Sequence, residues 1–212
     1  LLQSKEYQHF RIAVAFSFGL MVLMAAFLFL YGKHGSFLVI NGYKHPLLDY
    51  MFMYGTYLGH GMIWVPLFLY TVLFKREYFI AILSGLIICT FITHFAKLVI
   101  FPEELRPVRI LVDKIRIVKG VQLHQVESLP SGHTSTAFTL ALLLAFRIAK
   151  MAWSIFFPLV AFFVAYSRVY LGQHFVTDVF AGTLVGIASA FLALMIYKKW
   201  KERKTPAADL QR

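Results

Sequence analysis

Ser167-Arg168-Val169-Tyr170-Leu171-Gly172-Gln173-His174-Phe175-Val176-Thr177-Asp178 joins two long apolar runs, residues 151–170 and 175–197. Arg, His and Asp rarely sit this close to hydrocarbon unless they face a protected interior and have chemistry to do there. His174 and Asp178 are four residues apart, which on a helix gives a shared face and about 6 Å of axial separation. An aspartate so placed fixes one imidazole tautomer and leaves the other ring nitrogen free as nucleophile or base. Arg168 adds a planar cation suited to phosphate or carboxylate. The stretch reads as half of a phosphoryl-transfer site, set where two membrane spans meet.

Composition supports the membrane reading. Of the 212 residues, 59% are hydrophobic and only 15% charged, and the mean hydropathy is +0.70. Soluble domains have nearer half and a quarter. The chain reads as one all-α polytopic membrane domain, residues 1–212. Its net charge of +11 fits juxtamembrane cations and an anionic substrate. No aromatic-interleaved basic stripe or nucleic-acid motif points to DNA or RNA as a partner. The single cysteine, Cys89, lies in an apolar run; it excludes an internal disulfide and a cysteine metal cluster, and it reads as a core residue.

Working outward, six spans emerge, at about residues 12–31, 62–74, 78–96, 134–149, 151–170 and 175–197. The first is too long for a signal-peptide core and lacks a small-x-small cleavage site, so it reads as an uncleaved span. Residues 32–61 form a mixed segment, broken at His45-Pro46. Within it Leu48, Met51, Phe52, Tyr54, Tyr57 and Leu58 recur at helical spacing, which predicts an interfacial helix leading into span two. The polar loop 102–130 carries alternating apolar residues around Lys119-Gly120, which suggests a hairpin. The tail 198–212 is basic and polar and is expected to fray.

Six spans put both termini on one side, and the basic short connections and tails assign that side to the cytoplasm. The expected location is thus the cytoplasmic (inner) membrane. Lys97, His133, Arg168 and His174 then all fall on the opposite, outer face, with loop 102–130 over them.

Three clusters converge there: Lys97 with Arg106-Pro107; Pro130-Ser131-Gly132-His133 at a helix start; and Ser167-Arg168 with His174 and Asp178. Together they resemble the three signatures of the type-2 phosphatidic acid phosphatase superfamily, the metal-independent lipid phosphate phosphatases. The second matches letter for letter. The third matches in residues and spacing, with five residues between Arg168 and His174 and three between His174 and Asp178. The first departs: eight residues separate Lys97 from Arg106 where the family has six. Two extra residues turn a helix by about 200°. The resemblance covers residues 97–182 and the six-span plan.

It implies a lipid phosphatase without cofactor or metal, acting through a phosphohistidine. His174 would be the nucleophile, Asp178 its orienting partner and His133 the general acid and base. Lys97, Arg106, Ser131, Gly132 and Arg168 would bind phosphate. The residue chemistry agrees. Phosphoryl transfer needs positioning and charge neutralisation, three cations provide both, and a helix start cradles anions. A position at a helix N-terminus would keep His174 neutral. Expected partners are a phosphorylated lipid and the bilayer, with no obligate protein partner. Candidate substrates are polyprenyl diphosphate, phosphatidylglycerol phosphate, phosphatidic acid and lipid A phosphate. A lipid-to-lipid phosphotransferase would use the same site; a catalytically inactive lipid-binding protein would have no need of the intact His133, His174 and Asp178. A vanadate-dependent haloperoxidase shares the signatures but not six apolar spans.

The remaining polar residues read more plainly. His94 suits an interhelical hydrogen bond. His60 and His124 read as solvated loop histidines bordering the site. Arg109, Lys114 and Arg116 suit a headgroup or a solvated charge run.

Overall fold

The structure is a computed structural model and describes residues 4–204. Among these residues every regular element is helical. The long helices are α1 (Lys5–Asn41), α4 (Phe79–Phe95), α6 (Gly132–Ile148), α7 (Met151–Tyr170) and α8 (Val176–Lys204). The shorter ones are α2 (Pro46–Gly55), α3 (Trp64–Phe74) and α5 (Pro107–Ile110). Among the described residues, four helical stretches are long and apolar enough to cross a membrane: Lys5–Asn41, Arg76–Ile100, Met151–Tyr170 and Val176–Lys204. The chain is a multi-pass membrane protein.

α1 runs past both ends of the expected first span. It breaks at Gly32 (φ 66°, ψ 176°) and resumes to Asn41, so residues 33–41 of the expected mixed segment continue the first helix. A side chain is strained at this φ, whereas glycine adopts it freely. The next apolar unit is α2 and α3 together, bent by 56° between Gly59 and Gly61. Gly59 is pinned at this elbow: a Cβ there would lie 2.5 Å from the His133 carbonyl oxygen and 2.6 Å from Val164 Cγ1.

α6 forms the middle of the bundle, with nearly every residue from Thr134 to Phe146 buried. α8 lies directly against it. A Cβ on Gly182 would sit 2.7 Å from the Ser131 carbonyl oxygen, and one on Gly186 2.5 Å from Phe138 Cβ. This is a small-x-x-x-small contact, which lets two backbones approach where lipid supplies no hydrophobic force between helices. The Ser131 amide donates to the Asp178 carbonyl at 3.0 Å, locking the starts of α6 and α8 together.

The loop between α4 and α6 contains no hairpin. Its two ends meet in two backbone bonds, from the Arg106 amide to the Gln125 carbonyl and from the Ser128 amide to the Glu104 carbonyl, and other polar groups bond to distant side chains, with no ladder around Lys119-Gly120. Asn41 joins it to the bundle, donating to the Arg116 and Tyr170 carbonyls (3.0 and 2.9 Å) and accepting from the Arg116 amide (2.8 Å). Arg116 pairs with Asp49 at 2.9 Å and lies over the Tyr170 ring. Arg116 is therefore a staple of the fold, not a solvated charge. The expected frayed tail is helical as far as Lys204; the rest of it lies outside the described residues.

Candidate active site

Asp178 occupies the third position of α8, which begins at Val176. Its Oδ2 accepts from the Phe175 amide at 2.9 Å, the acidic half of a capping box. The same oxygen accepts from the Ser128 hydroxyl and from His174 Nδ1 at 3.4 Å, while Oδ1 accepts from Thr177 Oγ1 at 3.1 Å. His174 thus stands just before the helix, and Asp178 reaches back to it around the cap. A carboxylate in this position can only accept, so Nδ1 carries the ring proton and Nε2 keeps its lone pair.

His174 is buried, with 2% of its surface exposed. Burial, and then the charges of Arg106, Arg168 and Lys97, push its pKa well below the ordinary 6.5. Neutrality therefore has a different main cause from the expected helix N-terminus: desolvation comes first and the three cations second.

Arg168, also buried, donates from Nη1 to Thr56 Oγ1 at 3.0 Å, while its Nε–H is buried without a partner. An unpaired buried guanidinium donor is costly, and an anionic acceptor would satisfy it. Arg106 is more fully engaged. Nε donates to the Val126 carbonyl (2.9 Å), Nη1 to the Gln173 carbonyl and side-chain oxygen (3.2 and 3.3 Å), and Nη2 to the Glu127 carbonyl (3.4 Å). One of its five N–H groups remains free. Burial lowers the Arg106 pKa from its ordinary value, and Asp178 and Glu127 oppose that shift.

Lys97 lies on a single π turn, Ala96–Ile100, closed by the Phe101 amide on the Ala96 carbonyl at 2.8 Å. The wider turn rotates less per residue than an α-helix, and the non-helical residues 101–106 that follow carry the chain to Arg106. Lys97 falls within electrostatic reach of Arg106, Glu127, Asp178 and Arg168.

Ser131 is the N-cap of α6 and is buried; its Oγ accepts from Thr134 Oγ1 at 3.0 Å and makes no cap bond. The first-turn N–H groups of Gly132 and His133 have no intrahelical acceptor. The His133 ring meets the His60 ring edge-on, with centroids 5.5 Å apart. His133 also borders a cavity of about 190 Å³ between the α2–α3 elbow, α4 and α6.

All eight residues singled out in the sequence thus come to one end of the bundle. Four further ones join them: Ser128, Gln173, Thr56 and His60. Gln173 lies inside the opening stretch, yet its task, holding Arg106 while donating to the Gln122 carbonyl at 2.6 Å, depends on the loop. Thr56 and His60 come from the first ninety residues, which carry no signature. His124 also faces the cations: burial, then Arg106, Arg168 and Lys97, lower its pKa. His94 is exposed and bonds within its own helix, to the Thr90 carbonyl at 2.9 Å, not between helices.

Comparison with known proteins identifies the family. The PAP2 superfamily model matches residues 77–202. A lipid A 4'-phosphatase from Porphyromonas gingivalis is 30% identical over 193 residues, covering 82% of this chain and 78% of that protein. An undecaprenyl-diphosphatase from Sulfolobus acidocaldarius is 29% identical over 164 residues, covering 76% of each. The crystal structure of Aquifex aeolicus LpxE superimposes with a TM-score of 0.67 at 33% identity, over 75% of this chain and 92% of that one. The chain belongs to the PAP2 superfamily and is a lipid phosphatase of that family.

Proposed function

We propose that the chain hydrolyses a phosphomonoester or diphosphate carried on a lipid, through a phosphohistidine on His174. The observation that carries this reading is His174 itself: a neutral imidazole, Nδ1 held by Asp178, under three cations. Nε2 attacks phosphorus as the P–O bond to the lipid breaks. Arg168, Lys97, the remaining N–H of Arg106 and the α6 start around Ser131 and Gly132 take up the charge on the phosphate oxygens. His133 protonates the departing oxygen, then draws a proton from the water that cleaves the P–N bond. Asp178 stabilises the imidazolium formed on His174. No metal ion is required for any of these steps.

The relatives act, by name, on lipid A and undecaprenyl diphosphate. Both are phosphates on large hydrophobic groups, and this is the substrate class proposed. The cavity beside His133 is where the leaving lipid oxygen would lie. Six spans follow if the bent α2–α3 unit crosses once and α6, at 17 residues, crosses as well; a helix of that length spans roughly 25 Å. Both termini then face the cytoplasm and the site faces outward across the cytoplasmic membrane.

The test is inorganic phosphate release from a panel of lipid phosphates, wild type against His174→Ala. Release by the wild type without any acceptor lipid, lost in the variant, is expected. Unchanged release by His174→Ala would overturn the mechanism, and release only with a second lipid present would make the protein a phosphotransferase.

A further inference from the structure

Ser128 has no part in the signatures described above, yet it is fully buried against the centre of the site. Its hydroxyl donates to Asp178 Oδ2, the same oxygen that receives His174 Nδ1. Ser128 and His174 therefore meet on one carboxylate oxygen.

The loop is built to hold it there. The Ser128 amide donates to the Glu104 carbonyl at 3.0 Å. Glu127, immediately before, has φ 57°, a left-handed conformation that a residue with a Cβ adopts only when its surroundings impose it. Arg106 imposes it: its guanidinium grips the Val126 and Glu127 carbonyls, and its amide donates to the Gln125 carbonyl at 3.0 Å. Three consecutive carbonyls are thus turned toward one arginine, and the next side chain is turned into the site. A buried carboxylate needs donors. Oδ2 accepts from the Phe175 amide and the Ser128 hydroxyl, and these two donors fix the carboxylate with Oδ2 3.4 Å from Nδ1.

We propose that Ser128 is a positioning residue for the His174–Asp178 pair, its hydroxyl holding the Asp178 carboxylate ionised and aimed at Nδ1. The inference rests on the histidine-phosphatase reading above and deepens it. Arg106 then acts mainly through the loop, by setting the turn that presents Ser128, with its one free N–H left for phosphate.

The experiment compares Ser128→Ala and Ser128→Thr with the wild type in detergent. Three readouts are taken: phosphate release, its pH profile, and the ¹⁵N resonances of the histidine rings. Removing one charge-assisted donor is expected to lower kcat about tenfold to a hundredfold, with KM little changed. The acid limb of kcat/KM should move to higher pH, because a carboxylate with fewer donors holds its proton more tightly. Threonine, which keeps the hydroxyl, should restore the profile. Ser128→Ala with wild-type kcat and pH profile would overturn the proposal. The ring resonances separate this outcome from failure of the phosphatase reading. If the wild type releases no phosphate, that reading fails. The His174 Nδ1 shift then decides on Ser128 alone: a change in Ser128→Ala supports its role, and an unchanged shift refutes it.

Discussion

Replacing Asp178 by asparagine isolates the charge that the mechanism requires. The substitution keeps the shape of the side chain and an acceptor oxygen for the Phe175 amide, which lies 2.9 Å from Oδ2, so the α8 cap survives. What disappears is the negative charge 3.4 Å from His174 Nδ1. In the resting enzyme His174 is neutral and gains little from that charge. In the proposed mechanism it becomes positive only as the phosphorus–nitrogen bond forms, so the interaction would stabilise the transition state selectively. At 3.4 Å and an effective dielectric of ~20, the attraction is ~5 kcal/mol. At 1.4 kcal/mol per factor of ten, kcat should fall by ~10³ to 10⁴. The assay is phosphate release from a lipid phosphate in detergent micelles, with thermal unfolding of the same preparation as the control for folding. A well-folded Asp178→Asn protein within about tenfold of wild type would refute the reasoning, because so small a loss is what a merely neutral hydrogen bond accounts for.

Three other outcomes are expected. His174 is held neutral in the fold, below its ordinary pKa of 6.5, whereas the unfolded chain takes up that proton; this contribution to stability is present above pH 6.5 and is lost as pH falls, so unfolding midpoints in detergent should drop on acidification, and a His174→Gln protein should drop less. Gly186→Ala places a methyl 2.5 Å from Phe138 Cβ and should cost about 1–3 kcal/mol by overpacking the α6–α8 contact; an unchanged unfolding midpoint would mean that these helices are not so closely apposed. Phosphate release should persist in EDTA, and loss of activity restored by Mg²⁺ would overturn the metal-free mechanism.

Much of the site is legible in the sequence because it is built from short-range relations. Arg168, His174 and Asp178 lie within eleven residues, and Pro130 to His133 announce a helix start. The Gly182-x-x-x-Gly186 spacing is an equally local sign of close helix contact. The loop is not legible in this way. Its alternating apolar residues suggest strands, but its backbone is satisfied by Asn41, Arg106 and Gln173, and no local pattern encodes a partner 75 residues away. Likewise nothing around Thr56 announces that it meets Arg168, 112 residues later. The interval from Lys97 to Arg106 is hidden for a subtler reason. Counting residues assumes a uniform helix, and the chain changes pitch at Ala96.

Two of the hydrogen bonds that Asp178 Oδ2 accepts, from the Phe175 amide and from His174, tie an architectural task to a chemical one. A descendant of this protein that gave up catalysis would still need an acceptor at the third position of α8 to begin that helix. Selection for folding alone would preserve an acceptor there, aspartate or asparagine, after the chemistry had gone. Such a residue in a distant relative is therefore a record of shared architecture, and on the proposed mechanism His133 and His174 are the positions that would tell a working enzyme from a retired one.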